Sequence, residues 1–145
     1  MIASPIYNNR QLRYFYTIDI VNKIIYVKIS GNIYENEAAE MGIFFRKKAL
    51  ETDCKLFFDF SEAYNFILMG SAYFWFEHYY DKIDEKIRYT PTAYIMNPEQ
   101  ESFYNFIQTV CLNHGINIRV YKSEEQAVKW LMQKQQSEEK KNAVN

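Results

Sequence analysis

In KIIYVKISG, residues 23–31, Ile25, Val27 and Ile29 fall on one side of an extended chain, and the residues that follow abandon that period. From 35 to 53, ENEAAEMGIFFRKKALETD returns Ala38, Met41, Phe45 and Ala49 every three or four positions, with Ile43 and Leu50 close by. A period of two buries one face of a strand and a period near 3.6 buries one stripe of a helix, so the switch reads as strand, then helix. The alternation continues along the chain. Strand-length apolar runs at 55–60, 90–96 and 117–121 are separated by helical patterns near 71–87 and from 97 to 113. Parallel strands need such crossovers, so this pattern constrains the fold more than any other feature.

The flanking segments complete the order. YFYTIDIV (14–21) is β-rich and is joined to 23–31 by Asn22-Lys23, which predicts an antiparallel hairpin. Asn97-Pro98-Glu99 is a helix start, combining an N-cap, a proline whose missing N–H costs nothing there, and an acid favoured by the helix dipole. Phe103, Phe106, Ile107, Val110 and Cys111 form that helix's inner stripe, and Gly115 suits the left-handed stop after it. Ser123-Glu-Glu-Gln126 is a capping box opening a last helix whose face is Ala127, Trp130 and Leu131. The predicted order is β-β-α-β-α-β-α-β-α, an α/β mixed sheet with an antiparallel first strand.

A length of 145 residues suits one core. We expect a flexible arm at 1–13, one domain at 14–132 and a polar, frayed tail at 133–145. Seventeen basic against eighteen acidic side chains leave no broad basic field, so nucleic acid is not an expected partner. Two cysteines, Cys54 and Cys111, lack CxxC spacing and read as reduced, buried thiols. The first ten residues carry no basic region ahead of an apolar run, and no stretch is long enough to span a bilayer. A cytoplasmic protein without a transmembrane segment is expected.

The segments ISGNI, LFFDFS, TAYIM and, above all, GINIRVYKSEEQAVKWL resemble the STAS superfamily. The resemblance is to its SpoIIAA-like, anti-sigma-factor-antagonist fold, and within it to stand-alone STAS/CRAL-TRIO-like bacterial proteins; it covers roughly residues 14–132. It implies a non-enzymatic regulatory or protein-interaction module. Regulatory members carry an Asp-Ser pair after the strand, and a partner kinase phosphorylates its serine. Here Asp59-Phe60-Ser61 matches the strand end, but Gly70 precedes Ser71 and the pair is missing. Ser71 and Ser61 are the phosphoacceptor candidates. The bland alternatives are an N-cap role for Ser71 and a turn hydroxyl for Ser61.

Asp59, placed at the end of a strand, is set to bond the backbone of 61–65 or to orient a ligand. His78 and His114 read as surface or capping residues, and Arg46-Lys47-Lys48 as a solvated helix face. With no paired acid and base, no metal set and no activated nucleophile evident, no enzyme activity and no cofactor are expected. Residues 57–80 hold eleven aromatic rings in twenty-four positions. Ala72, Trp75, Phe76, Tyr79 and Ile83 suffice to cover a sheet, which leaves Tyr73, Phe74 and Tyr80 as a candidate surface for a protein partner or a homodimer. The rival is a carrier or sensor of a small apolar ligand or lipid, in a pocket built from Asp59, Tyr64, Phe66 and Met69.

Overall fold

The hairpin that opens the chain is closed by one carboxylate. In the computed structural model, which describes residues 10–71 and 85–133, β1 (Arg13–Asp19) pairs antiparallel with β2 (Ile24–Ile33). At the turn, Asp19 accepts the backbone N–H of Asn22 at 3.0 Å and its side-chain amide at 2.9 Å. These bonds hold the Asp19 carboxyl below its ordinary pKa. Lys23, at φ 55°, completes the reversal.

From β2 onward the predicted alternation holds among the described residues, with the helix expected near 71–87 lying mostly outside them. Helix α1 (Glu35–Thr52) leads to β3 (Lys55–Asn65), a helical turn α2 (Glu85–Arg88) precedes β4 (Thr92–Ile95), and α3 (Glu101–Asn113) leads to β5 (Ile118–Tyr121). A final helix, α4, occupies 124–133. The five strands lie in chain order, with β1 antiparallel and β2 to β5 mutually parallel. Asn97 caps as expected, accepting the Glu99 N–H at 3.0 Å, but what it caps is a short 3-10 turn (Pro98–Gln100) ahead of α3. The Ser123 hydroxyl accepts the Gln126 N–H at the start of α4.

Alternation divides the sheet residues between two faces. Ile25, Val27 and Ile29 of β2 and Leu56, Phe58 and Phe60 of β3 pack beneath α1 and α3. Ile24, Phe57, Ala93 and Ile95 point the other way, against Ala127 and Leu131 of α4. Rings tie the first layer together. Phe45 of α1 meets Tyr14, Tyr16 and Phe58 edge-on at 5.6, 5.3 and 5.8 Å. Phe58 stacks on Phe60, which reaches Tyr94 and Tyr104 at 5.0 and 5.7 Å.

Three expectations are corrected here. β3 runs to Asn65, so Asp59 lies mid-strand and 61–65 is strand rather than loop. A register shift between Lys28 and Ser30 places two residues of β3, Phe60 and Ser61, opposite Ile29 alone. That bulge breaks the period that would have announced the longer strand. Second, Arg46 is fully buried, because it shares the inner stripe of α1 with Ala39, Gly42 and Ala49. Its guanidinium donates to the Gly42 carbonyl at 3.4 Å, and its charge opposes the burial that raises the Tyr94 pKa. Third, helical conformation begins at 69, so Ser71 sits inside the first turn rather than at the N-cap.

Gly31 has φ +88°, and a Cβ there would run into the Gln11 carbonyl, where residues 10–12 pass close to β2 and Arg10 accepts the Asn32 N–H at 3.2 Å. Gly115 also has positive φ, +73°, but open space around it. In urea denaturation, Gly31→Ala is expected to cost more than about 2 kcal/mol and Gly115→Ala about 1 kcal/mol. Equal costs would show that the close approach at Gly31 contributes nothing.

Candidate functional site

In open α/β sheets, ligands gather beyond the carboxyl ends of the parallel strands. Here that end is built by β3 past its bulge and by the segment after β4. Before the bulge, even-numbered residues of β3 face α1 and α3; after it, Ala63 and Asn65 do. Asn65 therefore points inward, and its amide donates to the Tyr104 hydroxyl at 2.6 Å. The Asn65 backbone exchanges two bonds with the Gln100 side chain, N–H to Oε1 at 2.8 Å and carbonyl to Nε2 at 2.9 Å. Asn97 donates from Nδ2 to the Ala63 carbonyl at 2.9 Å. Burial pushes the Tyr104 phenol well above its ordinary pKa, so it stays neutral.

The outward face of the same strands carries a second polar group. Lys28 and Asp59 are register partners on β2 and β3, with Nζ 2.9 Å from Oδ2. Lys28 also reaches the Ser61 hydroxyl at 3.3 Å, and the Ser61 N–H donates to Asp59 Oδ1 at 2.9 Å. Glu62 lies 3.9 Å from the same ammonium. Partial burial raises the Asp59 carboxyl, but hydrogen bonds from Lys28 and Ser61 outweigh it and hold the pKa below the ordinary value. Asp59 is thus an engaged carboxylate at neutral pH. Lys28 was missing from the sequence reading, because only the register between parallel strands sets it opposite Asp59.

Two open clefts flank Pro98 and Glu99. One, of about 440 Å³, is lined by Tyr64, Met69 and the 98–103 segment. The other, of about 450 Å³, is lined by Arg10, Ser61, Glu62 and Asn97. The structure therefore brings Tyr64 and Met69 together, with Phe66 beside them, 5.0 Å from Tyr64 and stacked on Tyr34 at 5.2 Å. Asp59 lines neither cleft and stands with Ser61 and Lys28 instead. Ser71 lies half-buried in the first helical turn after β3. Tyr73, Phe74, Tyr80 and His78 lie outside the described residues. His114 caps α3, its Nδ1 2.8 Å from the Val110 carbonyl. Cys54 and Cys111 are buried free thiols, and burial pushes the Cys111 thiol far up. Among the described residues no group of three or more His, Cys, Asp or Glu could hold a metal ion.

No family model matches the chain, and no curated protein matches it. A solved structure does. It is an uncharacterized protein of the DUF3478 family from Shewanella loihica PV-4, with a SpoIIAA-like fold. The two superpose with a TM-score of 0.54 at 14% identity, over 90% of this chain and 99% of that one. The fold is SpoIIAA-like. At such identity the likeness speaks to fold alone, so the SpoIIAA-like sheet carries no role with it.

The Asn65–Tyr104 bond gives this end of the SpoIIAA-like sheet a measurable coupling. Asn65→Ala leaves a buried phenol without its partner and is expected to cost about 2–3 kcal/mol in urea denaturation, with Tyr104→Phe costing about 1–2 kcal/mol. The double variant should lose little more than Asn65→Ala alone. Additive losses would show that the two side chains are not coupled.

Proposed function

We propose that the chain is a non-enzymatic regulatory or protein-interaction module. The observation that carries this reading is the use made of the polar groups at the carboxyl end of the sheet. Asn65, Gln100, Tyr104 and Asn97 bond one another or the backbone, and Asp59 is held by Lys28 and Ser61. A general base works best with a pKa near the operating pH and a free approach to substrate. Asp59 is shifted the other way. A catalytic role would also need a second group in reach, and the titratable groups lining the clefts are Arg10, Tyr64 and the exposed carboxylates of Glu62, Glu99 and Glu101.

The rival, an apolar-ligand carrier, draws on Tyr64 and Met69. Against it, the rest of the lining is the segment from Pro98 to Phe103, which includes Glu99, Gln100, Glu101 and Ser102, and the cleft is open. Ligand pockets are mostly apolar and bury most of their ligand. No helix among the described residues is long and apolar enough to cross a membrane.

Native mass spectrometry of freshly purified protein separates the two readings. The module reading expects the bare polypeptide mass, with no adduct. A retained, lipid-sized adduct that is lost in a Tyr64→Ala/Met69→Ala variant would overturn it in favour of the carrier.

A further inference from the structure

Strand β1 lies at one margin of the sheet, pairing with β2 alone among the described strands. Its sequence, RYFYTID, is rich in residues that favour strands and has no lysine or proline. Proteins normally blunt such an edge with a charge, a proline or a bulge, because unpaired N–H and C=O groups template further pairing. Here the edge is also apolar. Phe15 is 69% exposed and Tyr14 50%, and the turn beyond adds Ile20 at 82% and Val21 at 88%.

The charges show what fits. Arg13 and Asp19 stand at the two ends of β1, each three residues from Tyr16. If a second β1 is laid antiparallel with its Tyr16 opposite Tyr16, Arg13 of each copy faces Asp19 of the other. Tyr14 then faces Ile18, and Phe15 faces Thr17. Each of these pairs shares a sheet face, since Tyr14, Tyr16 and Ile18 oppose Ile29, Val27 and Ile25 while Phe15 and Thr17 oppose Lys28 and Tyr26. The turn residues Ile20 and Val21 reach Leu12 and Gln11 of the other copy. A parallel arrangement would set Arg13 against Arg13 and Asp19 against Asp19. A slip of two residues removes the ion pairs.

We propose that β1 pairs with β1 of a second copy about a two-fold axis at Tyr16, joining two sheets into one. Scaling about 150–250 Å² per fully covered ring by the exposure of Tyr14, Phe15 and Tyr16 gives roughly 300 Å² of ring surface per copy as an upper bound, to which Ile18, Ile20 and Val21 add. The interface is therefore small for a specific one, and the matched charges at its two ends and the paired backbone set its register. One patch serves both subunits, as in the commonest class of homo-oligomer. The residues that pair in the interface line neither cleft. A monomer would overturn it and leave the module reading standing, whereas a lipid adduct would overturn that reading and leave the interface standing.

Sedimentation equilibrium of the full chain tests it. Wild type is expected to dimerise in the micromolar range. Arg13→Asp sets like charges opposite each other twice and should weaken the dimer at least tenfold. Adding Asp19→Asn, whose amide oxygen can still accept the Asn22 backbone N–H of the turn while its amide nitrogen gives up the second bond, should recover most of that loss. Far-UV circular dichroism of each variant confirms that the hairpin is intact. A wild type that stays monomeric at about 100 μM, or a dimer that Arg13→Asp leaves unchanged, overturns the proposal, and a dimer weakened by Arg13→Asp but not recovered by Asp19→Asn overturns the register.

Discussion

The bulge in β3 decides what the sheet presents at its ligand end. Up to Phe60, even-numbered residues enter the core; from Ala63 onward, odd-numbered ones do. An unbroken alternation would carry Glu62 inward and put an unpaired carboxylate among Phe103, Tyr104 and Ile107, which burial would penalise heavily. The extra residue turns Glu62 out to solvent and brings Ala63 and Asn65 in. It also sets Ser61 where its N–H can bond Asp59 and its hydroxyl can meet Lys28. The polar cluster is thus the other side of the same distortion that docks β3 on α3.

Above this strand a chain of rings runs through a core otherwise filled largely by branched aliphatics. Phe45 gathers Tyr14, Tyr16 and Phe58, and Phe60 passes the contact on to Tyr94 and Tyr104. Edge-to-face pairs contribute about 0.5–1.5 kcal/mol each beyond their buried area. They also link the hairpin, α1 and α3 through side chains distant in sequence. Arg46 is accepted into this layer because Gly42 and Tyr94 offer it polar contact where its neighbours on the stripe are small.

Element type and order were legible in the sequence because each depends on a local period. The β2 alternation, the α1 stripe, the Asn97 and Ser123 caps and the left-handed Gly115 all depend on neighbours within a few residues. What was not legible depends on partners far away. The length of β3 was hidden by its bulge, and the Lys28–Asp59 pair by the register between parallel strands. Arg46 was read as solvated because a charge on a helix ordinarily is; its burial follows from which stripe the sheet selects. At the site, a bond between Ser61 and Asp59 followed from their spacing of two, though it is the Ser61 backbone N–H that donates it. The grouping of Tyr64 with Met69, apart from Asp59, required the strand to continue past residue 60.

These features describe a sheet end whose polar groups bond one another and the backbone of a bulged strand. The carboxyl of Asp59 tests that account most directly. Its folded pKa lies below the ordinary 3.8. The stability it contributes is therefore complete above the unfolded pKa and is lost as pH falls through the folded one. A carbon-detected NMR titration of the Asp59 carboxyl measures this without altering the protein. The account predicts a midpoint below 3.8, with the Ser61 amide shift following the same curve. A midpoint raised to about 6 or above, where a general acid or base would be poised, would contradict it.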